Sequence, residues 1–218
     1  DIGGSGIKGA IVDTNTGLMV SERYRIVTPD PATPEAIAGC LAKLVVHFNW
    51  KGTVGCGFPA VIQHGVARTA SNVATSFIGT SIDQLFSDAT NCHCFCLNDA
   101  DAAGLAEISF GDRAYQKGMV LLITIGTGLG TAIFTDGQLV PNTELGHLFL
   151  KRGKVAEHYA SDAVRKAKGL SWKRWGKRFN NYLTLMERLF WPDVIILGGG
   201  ASKHFDKYKA QITVETPV

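Results

Sequence analysis

The sequence predicts an α/β fold carrying an internal repeat, on three observations. Short apolar runs that read as strands alternate with longer stretches whose apolar residues recur at helical spacing. A glycine bend between two apolar runs occurs near residue 3 and again near residue 126. The chain of 218 residues, 45% hydrophobic and 19% charged with 25 glycines, has the make-up of an ordinary globular protein. It is long enough for one large domain or two modest ones sharing a cleft.

Taken in order, apolar alternation over 7–12, turn chemistry over 13–17 and a second run over 18–26 predict a β-hairpin. Pro34 then opens a helix whose apolar face is Ile37, Leu41, Leu44, Val45 and Phe48. Residues 54–58 and 95–97 read as buried strands. From Asp99 the pattern is helical through Ala102, Ala103, Leu105 and Ile108, and 119–125 is a continuous apolar strand. Near the end, Ser171 caps a helix with apolar face Trp172, Trp175, Phe179, Leu183, Met186 and Phe190, stopped by Pro192. The strand over 194–197 empties into Gly198, Gly199 and Gly200, the end of a strand where α/β sheets bind ligands. Asp1 already reads as strand, and 212–218 reads as a strand without its continuation, so both ends are expected to be clipped.

Several classes are excluded. No apolar run approaches the ~20 residues of a membrane span, and no basic-then-apolar leader opens the chain. The five cysteines, Cys40, Cys56, Cys92, Cys94 and Cys96, are odd in number and confined to the first half, which argues against a disulfide scaffold. The last three alternate, so they share one face of a strand rather than surround a metal. Buried thiols, a reducing compartment and a cytoplasmic location are the expectation.

Three segments carry chemistry. The bend Asp1-Ile2-Gly3-Gly4-Ser5 alone is what many hairpins contain. Its echo in Ile125-Gly126-Thr127-Gly128-Leu129-Gly130 suggests two turns whose backbone amides hold successive phosphates. The segment Leu97-Asn98-Asp99-Ala100 runs from a strand into a helix. Either Asn98 or Asp99 suits an N-cap there, and Asp99 is also the candidate carboxylate to orient an acceptor hydroxyl and take its proton. In Asn142-Thr143-Glu144-Leu145-Gly146-His147, a carboxylate and an imidazole three residues apart suit adjacent sugar hydroxyls. Glu157 is either a further acceptor or a solvated helix residue.

These segments, in this order and ending in Leu197-Gly198-Gly199-Gly200, resemble the ROK family of sugar kinases. Ser5 to Lys8, Gly57-Phe58-Pro59, Pro141-Asn142-Thr143 and Leu170-Ser171-Trp172-Lys173 are similar to its polyphosphate-using glucokinases. The resemblance spans essentially the whole chain. It implies a duplicated actin-like, ribonuclease H-like ATPase fold, with two domains (1–97 and 98–218) closing over a central cleft. The implied activity is phosphoryl transfer from inorganic polyphosphate, ATP or both to the 6-hydroxyl of glucose, with the choice between glucose and mannose left open by the sequence. Asn98, Asp99, Glu144, His147 and Glu157 would hold the hexose, with Asp99 as base. Gly3, Gly4, Ser5, Lys8, Thr127 and Gly128 would hold phosphates, Gly198, Gly199 and Gly200 would lie by the nucleoside of ATP, and Asp1 would sit near magnesium through water. Many ROK proteins carry a zinc-binding cysteine cluster after the histidine. Residues 148–154 contain no cysteine, and no zinc is expected.

Charge bears on the donor. Between Lys151 and Arg178 ten Lys or Arg face two acids, a balance of +8 in a chain of net charge +3, leaving −5 elsewhere. A long polyanion fits that asymmetry, and so does a solvated helix face. No nucleic-acid motif accompanies it. The rivals are an ATP-only hexokinase or acylmannosamine kinase, and a sugar-sensing regulator, which would carry a DNA-binding domain ahead of the sugar site. A monomer or homodimer is expected, with no membrane partner.

Overall fold

The computed structural model describes residues 1–112, 116–150 and 153–218. Lys151 and Arg152 of the basic tract lie outside them. The chain forms two compact units, Asp1–Phe110 and Gly111–Val218.

In the first unit β1 (Ile2–Gly3), β2 (Gly6–Gly9) and β5 (Tyr24–Ile26) form an antiparallel sheet, with β3 (Val12–Asp13) and β4 (Leu18–Met19) as a small hairpin between β2 and β5 in sequence. The turn of that hairpin is tied by Asp13, whose carboxylate accepts from the Asn15 amide and the Thr16 hydroxyl. The predicted long hairpin is thus broken into two ladders. Helix α1 (Pro34–His47) begins at the expected proline, capped by Thr33, whose hydroxyl accepts from the Ala36 amide at 3.3 Å. Strands β6 (Val54–Phe58) and β9 (Cys94–Asn98) pair in parallel, Cys56 opposite Cys96 and Phe58 opposite Asn98. Between them lie the hairpin β7 (Ile62–Gln63) and β8 (Val66–Ala67) and helix α2 (Ile82–Thr90). Sequence periodicity missed α2: only Ile82, Phe86 and Thr90 of its nine residues are buried, a stripe one residue wide.

Phe58, Phe77 and Phe86 form the centre of this unit's core with Ile37 and Leu41. All five cysteines are buried free thiols. A hydrogen bond to Cys56, followed by burial, pushes the Cys94 thiol far above its ordinary range, which leaves it an inert packing group. Helix α3 (Asp99–Phe110) follows β9 directly and packs on β6 and β9. That packing is why the compact unit runs through Phe110, whereas the sequence reading divides the chain after residue 97. The buried face of α3 is Ala100, Asp101, Gly104 and Ile108. Ala103, expected inside, is exposed.

The second unit is built on a four-stranded sheet in the order β12 (Gln138–Val140), β11 (Leu129–Thr135), β10 (Met119–Ile125), β15 (Val194–Gly198). β10 and β15 run parallel, with Thr124 opposite Gly198. A small pair, β13 (Phe149–Leu150) with β14 (Lys154–Val155), leads into the short helices α4 (Glu157–Ala160) and α5 (Asp162–Ala167). Helix α6 (Trp172–Phe190) starts at Ser171, whose hydroxyl accepts from the Arg174 amide at 3.3 Å. It buries Trp175, Phe179, Tyr182, Leu183 and Met186 in one core with Leu121, Ile123 and Ile195, each side chain worth about 1.5–3 kcal/mol of apolar burial. The Trp175 indole N–H finds the carbonyls of Ala160 and Ser161 at 3.0 and 3.1 Å, so the α4–α5 junction is fixed to α6.

The predicted strand over 212–218 does not form. The Thr213 amide bonds the Asn180 side chain, the Thr216 amide and hydroxyl bond the Glu187 carboxylate, and Pro217 has no N–H to give. These side chains on α6 take the amides a sheet would need; the Pro217 carbonyl does accept from the Ile195 amide. No helix among the described residues is long and apolar enough to cross a membrane.

Candidate active site

The first glycine bend is the turn between β1 and β2, where Gly3 pairs with Gly6 and Gly4 and Ser5 are exposed. Two side chains missed by the sequence reading hold it. The Arg25 guanidinium donates to the Ser5 carbonyl and the Thr28 hydroxyl to the Gly3 carbonyl. In a trans peptide the N–H points opposite to its C=O, so the Gly4 amide faces away from Thr28. A Cβ at position 4 would lie 2.9 Å from the Asn72 Cβ, too close for any other residue without movement. Strand pairing also brings Asp1 and Lys8 together, with Asp1 Oδ2 3.5 Å from Lys8 Nζ and both solvent-facing.

Asn98, at the end of β9, is the N-cap of α3. Its Oδ1 accepts from the amides of Ala100 and Asp101 at 2.9 and 3.2 Å, and its Nδ2 donates to the Ala60 carbonyl at 3.2 Å. With Asn98 capping, Asp99 is left beside the cap with a solvent-accessible side chain, one oxygen accepting from the Ala100 amide at 2.8 Å. The atoms crowded behind it strip enough solvation to raise its pKa, outweighing the lowering by the amides of Ala100 and of Asp99 itself. Gly57 on β6 lies beneath: a Cβ there would be 3.6 Å from Asp99 Cα.

The second bend, Gly126 to Gly128, joins β10 to β11 and is closed by the Gly126 amide on the Gly128 carbonyl at 3.1 Å. Thr127 is exposed at its tip. Beside it ends β15. Gly199 takes a left-handed φ of +78°, and a Cβ there would come within 2.6 Å of the backbone N and O of Ile125; only glycine fits. The turn through Gly198, Gly199 and Gly200 therefore abuts the second bend at the carboxyl ends of two parallel strands.

Glu144, His147 and Glu157 come together. His147 Nδ1 is 3.6 Å from Glu144 Oε2, and its Nε2 is 3.5 Å from Glu157 Oε1. Thr131 on β11 and Gly146 hold that segment, and neither was singled out by sequence. The Leu145 amide donates to Thr131 Oγ1 at 3.1 Å, the Thr143 hydroxyl donates to the Thr131 carbonyl at 3.0 Å, and Thr131 in turn donates to the Thr143 carbonyl. Gly146 presses on the Leu129 carbonyl so closely that a side chain would overlap it. Glu157, half-buried at the start of α4 rather than solvated, reaches the second bend: a Cβ on Gly128 would be 2.5 Å from its Oε2. One carboxylate thus joins the polar cluster to the glycine bend within a single unit. His158, also overlooked because nothing distinguishes it from a surface histidine in sequence, places Nε2 3.4 Å from Glu157 Oε1.

The basic tract divides. Arg165 and Lys166 close on Asp162 at 2.6 and 2.8 Å, and Arg165 stacks on Trp172 at 3.9 Å. Although burial of Asp162 works the other way, hydrogen bonds from Lys166 and Arg165 hold its pKa below the ordinary value. These two cations serve the fold. Lys168, Lys173, Arg174 and Lys177 are exposed. Among the described residues no group of three or more His, Cys, Asp or Glu could hold a metal ion.

The sequence model of the ROK family matches residues 1–163. The chain is 44% identical over 219 aligned residues to Polyphosphate glucokinase of Mycobacterium tuberculosis (strain CDC 1551 / Oshkosh), covering 100% of this chain and 82% of that one. It is 45% identical to the inorganic polyphosphate/ATP-glucomannokinase of Arthrobacter sp. strain KM, whose crystal structure superimposes with a TM-score of 0.93 over 99% of this chain and 88% of that one. A ROK family glucokinase from Streptomyces griseus, solved with glucose and AMPPNP, shares the fold at 21% identity, with a TM-score of 0.80 over 96% of this chain and 86% of that one. With three quarters of its length inside the family model and a relative 44% identical over the whole of this chain, the chain belongs to the ROK family.

Proposed function

We propose that this chain is a hexose kinase that transfers a phosphoryl group from inorganic polyphosphate or ATP to the 6-hydroxyl of glucose, and of mannose as well. The observation that carries this is the Glu157 carboxylate, which lies against His147 on one side and against Gly128 on the other. A sugar hydroxyl bound by Glu144, His147 and Glu157 would lie next to a bend suited to phosphate, which supports this reading. The full-length likeness to a polyphosphate glucokinase and a polyphosphate/ATP-glucomannokinase supports the donor and acceptor.

In this reading Asn98 contributes to the hexose site while keeping α3 capped, and Asp99 accepts the 6-hydroxyl proton as the oxygen attacks phosphorus. Its raised pKa makes it a better base than a free carboxylate. Gly3, Gly4, Ser5 and Lys8 on one bend, and Thr127 and Gly128 on the other, hold donor phosphates. The turn at Gly198, Gly199 and Gly200 holds the nucleoside when ATP is the donor. Asp1 is the carboxylate for Mg²⁺. A single solvent-facing carboxylate fits an ion that keeps most of its waters and takes its other ligands from substrate phosphates; such an ion would neutralise charge on the transferring group. The exposed Lys168, Lys173, Arg174 and Lys177 extend positive charge for a long polyanion.

The test is a grid of glucose or mannose against ATP or polyphosphate, with magnesium, scored for hexose 6-phosphate. Product with glucose and polyphosphate is expected. Hexose binding with no product in any cell would overturn the kinase reading in favour of a sugar sensor.

A further inference from the structure

We propose that His158 is a positioning residue that holds the Glu157 carboxylate over the second glycine bend when the hexose displaces His147 from it. The inference rests on the hexose-kinase reading above and goes beyond it by assigning a residue outside the hexose-binding set.

The backbone that carries Glu157 and His158 is fixed. Ala156 and Ala160 are fully buried, the Ala160 amide bonds the Ala156 carbonyl at 2.8 Å, and the Trp175 indole holds the Ala160 carbonyl. The Glu157 side chain must therefore be oriented by what meets its carboxylate. Two imidazole nitrogens converge on one oxygen: Nε2 of His147 at 3.5 Å and Nε2 of His158 at 3.4 Å, both on Oε1, while Oε2 faces Gly128. These separations exceed the 2.7–3.2 Å of a closed N–H···O bond, so the His147–Glu157 gap can open for a hydroxyl. His147 also faces Glu144. Once a sugar hydroxyl enters between His147 and Glu157, His147 no longer restrains Oε1. His158, whose side chain is 74% exposed and whose Nε2 stands 3.4 Å from that oxygen, supplies the remaining donor. Without it the carboxylate is free to change rotamer, and the acceptor it offers to the sugar and the edge it presents to the bend are lost together.

The experiment uses the full chain with His158→Ala and His158→Gln, steady-state kinetics with glucose, mannose and polyphosphate, and thermal denaturation. His158→Ala is expected to raise the glucose KM several-fold, on the order of what the loss of one exposed charged contact to the carboxylate gives. The polyphosphate KM should rise along with the glucose KM, while the melting temperature should stay near that of the parent. His158→Gln, which restores an N–H donor, should recover most of the affinity. In a double-mutant cycle the His158→Ala effect should vanish on a Glu157→Gln background. An unchanged glucose KM in His158→Ala, an equal loss in both variants, or additivity with Glu157→Gln would overturn the assignment while leaving the kinase reading intact. If the parent chain forms no hexose phosphate, the kinase reading fails instead, and calorimetric glucose binding to the same variants decides on His158 by the same criteria.

Discussion

A single methyl group at position 146 should dislodge the turn that carries Glu144 and His147. The Cβ of Gly146→Ala would overlap the Leu129 carbonyl oxygen and lie 3.2 Å from the Leu129 carbonyl carbon and Cβ. Leu129 belongs to the paired strand β11 and sits opposite Ile125, so the 3₁₀ turn Leu145–His147 must yield rather than the sheet. Restoring ordinary van der Waals separation needs a retreat of roughly 1 Å, which would stretch the 3.1 Å bond from the Leu145 amide to Thr131 beyond hydrogen-bonding reach. Overpacking of about 1–3 kcal/mol and a lost hydrogen bond of about 0.5–1.5 kcal/mol together predict a destabilisation of about 1.5–4.5 kcal/mol. That corresponds to a fall in melting temperature of roughly 3–18 °C. Because Glu144 and His147 move with the turn, kcat/KM for glucose should fall on the order of 100-fold. Calorimetric melting and a coupled assay for glucose 6-phosphate measure both. A Gly146→Ala protein that melts with the parent and keeps its kcat/KM would refute the claim that this glycine sets the turn against β11.

Asp99→Asn should lower kcat by about 10²–10⁴ while glucose binding persists. Because burial raises the Asp99 pKa, its ionised form disfavours the fold: stability from this group is present below the unfolded value near 3.9 and declines as pH rises. Asp99→Asn should then melt at or above the parent at neutral pH, and a lower melting temperature would count against that sign. The same shift places the acid limb of the pH–kcat/KM profile above the range of a free carboxylate, with activity falling as pH drops through it. Charge reversal at Lys173, Arg174 and Lys177 should raise the polyphosphate KM and flatten its salt dependence without altering the ATP KM; a polyphosphate KM indifferent to salt and to these charges would remove the tract from donor binding.

Where the polypeptide obeys a strong local rule, the sequence was readable. The strand Met119–Ile125 is seven consecutive apolar or β-branched residues, and α6 shows its cap, its stripe and its terminating proline in the sequence. The two glycine bends announced themselves by repetition. The failures have physical causes. Helix α2 is only nine residues long and buries three of them, so its short stripe gives little period. The tail at 212–218 alternates like a strand, yet its amides are claimed by Asn180 and Glu187, residues distant in sequence. At the site, residue types marked Asn98, Asp99, Glu144 and His147, but which of Asn98 and Asp99 caps α3 is decided by the Ala60 carbonyl that Asn98 also reaches. Thr131, Gly146, Arg25 and Thr28 act through contacts with backbone atoms of other segments, and no local pattern reveals such contacts.

Phosphorus NMR of the product formed from glucose and polyphosphate, in the absence of nucleotide, tests the central claim most directly. A new phosphomonoester coupled to the two C6 protons of glucose is the predicted signal, and with Asp99→Asn it should build up about 10²–10⁴ times more slowly. A phosphate attached at any other sugar oxygen, or inorganic phosphate alone, would contradict the placement of the 6-hydroxyl beside Asp99.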